Sequence, residues 1–247
     1  MLDRLADWSL QLARRLPSAI PSSCALCGIS GDDALCKDCN NRFLGQDAHR
    51  CMQCALPMPD DTTAAPRQCG ECLQQARSFD ATIVASDYAA PLDHLVLALK
   101  FGNRLALAPL FARLMREALQ REQIASMPDL LTVVPLGETR LAERGFNQAL
   151  EIARPLAKML AVPLTPRLMA RTRDTLMQAQ LHPDERHRNV RHAFALQPEM
   201  VGQIQGKHVG VVDDVLTTGE TLNEVATVLK RHGAIRVTNL VFARTPK

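Results

Sequence analysis

Asp213 and Asp214 stand side by side after an apolar run, Val211-Val212, and lead into Val215, Leu216, Thr217, Thr218, Gly219, Glu220 and Thr221. Paired carboxylates are hydrogen-bond acceptors, and a vicinal diol offers two donors to meet them. Small hydroxyl residues and a glycine let consecutive backbone N–H groups turn toward one anion, and a helix starting there adds its dipole. A diol acceptor followed at once by a phosphate nest describes a site for ribose 5-phosphate. Two aspartates at a strand end also suit a loop cap, or a magnesium site of the receiver or dehalogenase kind. Neither alternative accounts for the Thr-Thr-Gly-x-Thr that follows.

The segment is similar to the motif by which type I phosphoribosyltransferases bind phosphoribosyl pyrophosphate (PRPP). Such enzymes displace pyrophosphate from the anomeric carbon through a transition state of oxocarbenium character. The leaving charge then needs Mg²⁺ and basic side chains. Val134-Pro135-Leu136-Gly137 is a candidate tight loop against the pyrophosphate, with Arg140 and Arg144 behind it. Arg171-Thr172-Arg173 is a second candidate, followed by Arg186, Arg188 and Arg191. Taken singly, each arginine reads more readily as a solvated surface charge. The polar stretch at 178–183 is a candidate hood over the substrate. His182, His187 and His192 recur every five residues, do not share a helix face, and are read as surface or loop residues. No nucleophile paired with a base is evident; a transferase whose acceptor attacks directly needs none.

The eight cysteines form four Cys-x-x-Cys pairs: Cys24/Cys27, Cys36/Cys39, Cys51/Cys54 and Cys69/Cys72. Two intervening residues let both sulfurs of a knuckle reach one tetrahedral ion at about 2.3 Å, so four knuckles make two closed four-cysteine sites. Short loops favour sequential pairing, Cys24 with Cys27, Cys36 and Cys39, and Cys51 with Cys54, Cys69 and Cys72. Pairing of alternate knuckles stays open. Paired knuckles without an extra cysteine favour structural zinc over an iron–sulfur cluster, and a reducing compartment disfavours disulfides. Closed sites leave no coordination position for catalysis, so this segment is expected to be structural or a platform for a partner.

These groups need elements to hold them. No cysteine follows Cys72, and the composition changes from about Ala81, which sets an expected boundary between a cysteine segment (1–78) and a second domain (79–247). Residues 81–85, 130–134, 209–212 and 237–243 read as buried strands. Residues 92–99, 105–121, 147–160 and 221–232 read as helices, with Gly102-Asn103 as a break and Asn147 as a cap. Strands alternating with helices predict an α/β fold, a parallel sheet covered on both faces, as in the type I phosphoribosyltransferase fold. Open sheets of this kind bind ligands at the carboxyl ends of their strands, where Asp213 and Asp214 fall.

Composition limits the remaining classes. A net charge of +3 argues for neither nucleic acid nor a membrane surface. Of 29 basic residues only Lys37, Lys100, Lys158, Lys207, Lys230 and Lys247 are lysine. The arginine excess is compatible with phosphorylated ligands and equally with codon usage. Residues 1–16 lack a secretory pattern; Leu2, Leu5, Trp8, Leu12 and Leu16 form an amphipathic stripe, read as a packing face. No apolar run suits a membrane span, and a cytoplasmic location is expected.

The four knuckles, then Leu99-Lys100-Phe101, Val134-Pro135-Leu136, Arg144-Gly145-Phe146-Asn147-Gln148 and the Asp-Asp-x-x-Thr-Thr-Gly loop resemble the ComF family from Cys24 to about Arg244. These are competence-associated proteins with an amino-terminal zinc finger and a phosphoribosyltransferase domain. Arg-Gly-Phe-Asn-Gln is the discriminating block. The resemblance implies that Asp213 and Asp214 hold the ribose and Thr217 to Thr221 the 5-phosphate, with Val215 and Leu216 in the same PRPP-binding segment. It also implies that Lys100, Pro135, Leu136, Arg140, Arg144 and Arg173 lie near the pyrophosphate or the acceptor. It implies Mg²⁺ with PRPP, two structural zinc ions, a role in DNA uptake or in using imported DNA, and in some bacteria a helicase partner. Three functions fit: a transferase with an unidentified acceptor, such as a nucleobase or amine; a PRPP-sensing adaptor without turnover; and a protein handling single-stranded DNA or a helicase. The single Trp and single Tyr weigh against the last, because strand-binding platforms use exposed aromatics.

Overall fold

The computed structural model describes residues 22–44, 49–59, 68–122, 126–172 and 192–246. The amphipathic stripe at 1–16, the stretch at 178–183, Arg173, Arg186, Arg188, Arg191, His182 and His187 lie outside the described residues. The chain divides into two compact units, Met1–Gln46 and Asp47–Lys247, and the compositional boundary at 78/79 falls inside the second. In the first unit, two short strands, β1 (Ser22–Ser23) and β2 (Ser30–Gly31), pair antiparallel ahead of helix α1 (Lys37–Leu44). Among its described residues Cys24, Leu35, Cys39 and Leu44 are buried.

The second unit opens with the knuckles of Cys51/Cys54 and of Cys69/Cys72, the latter on helix α2 (Gly70–Gln74). Its sheet contains β3 (Ala81–Asp87), β4 (Leu130–Val133), β7 (His208–Leu216) and β8 (Arg236–Arg244) in the order β3-β8-β7-β4, with every neighbouring pair parallel. Helices α3 (Leu92–Phe101), α4 (Ala108–Arg121), α6 (Gln148–Leu160) and α8 (Glu220–Arg231) connect or flank the strands. Alternate residues of β8 divide the core. Val237 and Val241 join Leu222, Val225 and Leu229 of α8 on one face. Phe242 stacks on Phe111 of α4 on the other, ring centroids 3.8 Å apart. Helices therefore cover both faces, as the strand–helix alternation predicts.

Boundaries differ from the sequence expectation in ways that steric rules explain. Residues 105–121 are not one helix: a 3₁₀ turn (Leu105–Leu107) precedes α4, because Pro109 fits only a first helical turn. Asn103, in the break, has a φ of 50°, a conformation asparagine tolerates better than most residues. Gly210 lets β7 approach β4, since a Cβ there would meet Leu131 Cδ2 at 2.5 Å.

Several elements of the second unit had no sequence counterpart. A hairpin pairs β5 (Met169–Arg171) antiparallel with β6 (Phe194–Leu196), with strands of three residues too short to show alternation. A short helix α5 (Glu138–Arg144) follows the Pro135 loop and ends at Gly145, whose φ of 79° suits glycine. Another short helix, α7 (Val201–Ile204), precedes β7.

β7 outlasts its neighbour. β4 pairs with it from Val209 to Val212, and Val134 donates a last bond to the Val212 carbonyl at 3.2 Å. Pro135 has no N–H with which to continue the ladder. From Asp213 onward β7 is paired only with β8, through Asp213–Val241, Val215–Ala243 and Leu216–Arg244. One edge of its last turn is thus left facing a cleft.

Candidate functional site

That cleft is a cavity of about 290 Å³, near the lower end of ligand sites, which run from about 300 Å³. Asp213 and Asp214 form one wall, and Leu216, Thr217, Gly219, Glu220 and Thr221 curve around its end into α8. Gly219 has a φ of 84° and caps the helix start. It sits over the ring of Phe79, which a Cβ would meet at 3.8 Å. The first-turn N–H groups of α8 have no carbonyl partners within the helix and carry its positive dipole end.

The opposite wall comes from Val134, Pro135, Leu136 and Arg140, with Lys100 reaching in from the last turn of α3. Of the residues expected at the site, Lys100, Pro135, Leu136, Arg140, Asp213, Asp214, Val215, Leu216, Thr217, Gly219, Glu220 and Thr221 line this one cavity. Thr218 and Arg144 stand outside the lining, and Arg173 lies outside the described residues. Arg171, of the second candidate segment, also lines it, and the liners not singled out as binding residues are Tyr88, Gln148 and Leu222. Tyr88 had a usable signal, because it directly follows β3 at the carboxyl edge where such sheets bind ligands.

The two aspartates differ in charge. Lys100 Nζ lies 2.6 Å from Asp214 Oδ2, and Gln148 Nε2 donates to Asp214 Oδ1 at 3.4 Å. Burial works against ionisation of Asp214, but Lys100 and these hydrogen bonds hold its pKa below the usual value. Asp213 is pushed well above the usual range, first by burial and then by the charge of Asp214. The free site therefore holds one firmly ionised carboxylate beside one that resists ionisation.

The Arg-Gly-Phe-Asn-Gln block sets this arrangement. Asn147 caps α6 by accepting from Ala149 and Leu150 at 2.9 and 3.3 Å, and its Nδ2 donates to the Val134 carbonyl at 3.1 Å. One residue thus fixes both a helix start and the Pro135 loop. Gln148 is buried, donates to Asp214 and accepts from Arg144, whose guanidinium lies over the Phe101 ring at 5.3 Å. Burial lowers the Arg144 pKa.

The cysteines gather as two quartets, Cys24, Cys27, Cys36 and Cys39, and Cys51, Cys54, Cys69 and Cys72, with the sulfurs of each within 4.8 Å of one another. This is the sequential grouping. Bonds of about 2.3 Å place sulfurs about 3.8 Å apart around a tetrahedral ion; Cys27–Cys36 and Cys54–Cys69 stand at 3.7 and 3.6 Å. Backbone N–H groups of Cys39 and Cys69 point at Cys36 and Cys51 Sγ, at 3.4 and 3.2 Å. Without a cation the quartets do not hold four thiolates. The hydrogen bond from Cys54 brings Cys51 down to about 4 against the effect of burial, and the same contact pushes Cys54 up. Burial pushes Cys39 and Cys72 up to about 12. Both donor sets and geometries fit zinc.

His192 is exposed, and its backbone N–H donates to Glu224 Oε1 at 2.7 Å. Among the described residues no helix is long and apolar enough to cross a membrane.

Residues 147–247 match the family model described as the phosphoribosyl transferase domain. The chain is 35% identical over 232 residues to the DNA utilization protein YhgH of Escherichia coli K12, covering 92% of this chain and 98% of that one. The Salmonella typhimurium YhgH is 34% identical over the same coverage. Competence protein F of Haemophilus influenzae is 33% identical over 171 residues, 68% of this chain and 74% of that one. A solved structure of the allosteric regulatory enzyme of purine biosynthesis shares 21% identity, with a TM-score of 0.36, over 56% of this chain and 25% of that chain.

Proposed function

The chain belongs to the ComF family, with YhgH and competence protein F among its relatives, and from that premise we propose that it binds PRPP at the cleft beside Asp213 and acts in DNA uptake or in the use of imported DNA. The observation that carries the reading is the meeting, in one cavity, of a carboxylate pair, a glycine-turned helix start and three cationic side chains, Lys100, Arg140 and Arg171. Asp213 and Asp214 hold the ribose hydroxyls. Residues 215–221 cradle the 5-phosphate against the start of α8. Pro135, Leu136, Arg140, Lys100 and, beyond the described residues, Arg173 face the pyrophosphate or the acceptor. Arg144 acts from behind by fixing Gln148. Mg²⁺ bound with PRPP supplies positive charge to the leaving pyrophosphate; the carboxylates and main-chain donors orient the sugar for attack by the acceptor.

Each quartet holds one zinc ion in a structural role. The acceptor is a nucleobase or an amine, and transfer requires only that it reach the anomeric carbon, since the acceptor is the nucleophile. Silent PRPP sensing uses the same cradle without turnover. Contact with single-stranded DNA or a helicase would fall to the cysteine segment, in a cytoplasmic protein. Titration calorimetry with Mg-PRPP is expected to give one site per chain, abolished by Asp213→Asn with Asp214→Asn. Unchanged affinity in that double variant would overturn the assignment. Pyrophosphate release with pooled nucleobases then separates transferase from sensor.

A further inference from the structure

The second cysteine quartet stands in the same compact unit as the cleft, and buried side chains join the two. Arg244, the last residue of β8, is 3% exposed. Its Nε donates to the carbonyl of Cys54, a quartet member, at 3.1 Å. Its Nη1 donates to the carbonyls of Thr217 and Leu216, in the loop that turns into α8. A single guanidinium therefore spans a knuckle and the phosphate loop. The planar fork suits this, because donors on different nitrogens hold two carbonyls at fixed separation.

A second link runs parallel. Glu71 lies between Cys69 and Cys72, and Arg77 pairs with it at 3.3 Å and with Glu220, the first residue of α8, at 2.6 Å. The floor is shared as well. Gln53, between Cys51 and Cys54, donates to the carbonyl of Phe79, whose ring underlies Gly219. Met52 accepts from the Thr82 N–H at 3.1 Å, and Ala55 is packed in the core with Phe79 and Leu222. The Cys51/Cys54 knuckle thus bonds to β3 through Met52 and to Phe79 through Gln53, and the residue after it joins the core that holds Phe79.

We propose that the Cys51, Cys54, Cys69, Cys72 metal centre is part of the 5-phosphate site, with Arg244 as the positioning residue that transmits the knuckle's geometry to Thr217. The carbonyls of Thr217 and Leu216 accept from Arg244, which anchors the end of β7 and the start of the loop that follows it. A knuckle that has lost its ion no longer fixes the Cys54 carbonyl, and the loop loses one of its anchors. Metal occupancy and phosphate binding are then linked, and linkage is reciprocal: each ligand tightens the binding of the other. The proposal rests on reading the loop at 215–221 as the ribose-phosphate site.

Zinc transfer from the full chain to a chromogenic chelator tests the link directly. Cys36→Ser with Cys39→Ser confines the signal to the second quartet. At equilibrium with the chelator, saturating ribose 5-phosphate is expected to tighten zinc binding by about 5- to 150-fold, the usual range of coupling between sites, whereas magnesium pyrophosphate alone leaves it unchanged. Arg244→Lys, which keeps the charge but loses the fork, is expected to weaken ribose 5-phosphate while retaining zinc content and pyrophosphate affinity. A role in general stability alone would lower both affinities together. Ribose 5-phosphate that binds without tightening zinc binding refutes the link; failure of ribose 5-phosphate to bind the wild-type chain refutes the site reading instead. The zinc measurement needs no substitution of Arg244, so it decides the matter even if that variant does not fold.

Discussion

Asn147 makes two kinds of bond with one amide, and two substitutions separate them. Its Oδ1 caps α6 through Ala149 and Leu150, while its Nδ2 holds the Val134 carbonyl. Asn147→Ala removes both: about 1 kcal/mol for the cap and about 1 kcal/mol for the hydrogen bond. A loss of about 2 kcal/mol lowers the melting temperature by about 4–8 °C in a chain of this size. Asn147→Asp keeps the acceptor, and at a helix start its charge suits the dipole. It cannot donate to Val134, and it sets a carboxylate against a carbonyl oxygen. Its melting temperature is therefore expected to fall by less than that of Asn147→Ala. Its PRPP affinity is expected to fall as far or further, because the Pro135 loop is released in both. Differential scanning fluorimetry and calorimetric titration measure the two effects separately. Asn147→Asp with wild-type PRPP affinity would refute the tether, and Asn147→Ala with an unchanged melting temperature would refute the cap.

Other substitutions probe the charges and the turn. The raised pKa of Asp213 means that its contribution to stability is fully present below the ordinary carboxylate value and is lost as pH rises through its folded value. Asp213→Asn is therefore expected to gain stability over wild type as pH rises, a trend visible in melting temperatures from pH 4 to pH 8; a constant offset would count against it. Asp214 has the opposite sign, with stability present above the ordinary value and lost as pH falls through its lowered one. Lys100→Met should weaken that acid-side dependence, and a variant with the wild-type profile would contradict the ion pair. Gly219→Ala meets no clash beyond the Phe79 ring but forces an L-residue to a φ of 84°. A cost of about 1–2 kcal/mol and weaker PRPP binding are expected, against which an unchanged melting temperature would tell. Elemental analysis should find two zinc per chain, one for each quartet; one or none would exclude the paired sites.

Much of the site was legible because its parts are local. The aspartate pair, the Thr-Thr-Gly turn and the start of α8 are contiguous, so local stereochemistry fixes them together. The knuckles are legible for the same reason: two residues of spacing decide which sulfurs can share an ion. The cap at Asn147 needed only the helix that follows it. The second function of Asn147 was not legible, because Val134 is brought to it only when β4 and α6 pack. Gln148 falls in the same class, since only the packing of α6 beside β7 brings it to Asp214. The three-residue strands of the hairpin carry too little pattern to be seen at all.

The connection through Arg244 belongs to the least legible kind. Cys54 and Arg244 are 190 residues apart, and nothing in either segment names the other. In sequence Arg244 is a cation closing an apolar run, which ordinarily means a strand emerging into solvent. In the fold it is buried, because β8 lies between β3 and β7 and its end is enclosed by the Cys51/Cys54 knuckle on one side and the 215–221 loop on the other. A buried guanidinium is tolerated only when its donors are met, and here the acceptors are main-chain carbonyls of the two segments it separates. Loss of the arginine would remove its bonds to the Cys54 and Thr217 carbonyls, one in each segment, while the Leu216 carbonyl keeps the Thr245 N–H at 2.9 Å. The dependence is mutual. A cysteine segment that looks in sequence like an independent module is thereby tied, in its second half, to the loop at 215–221.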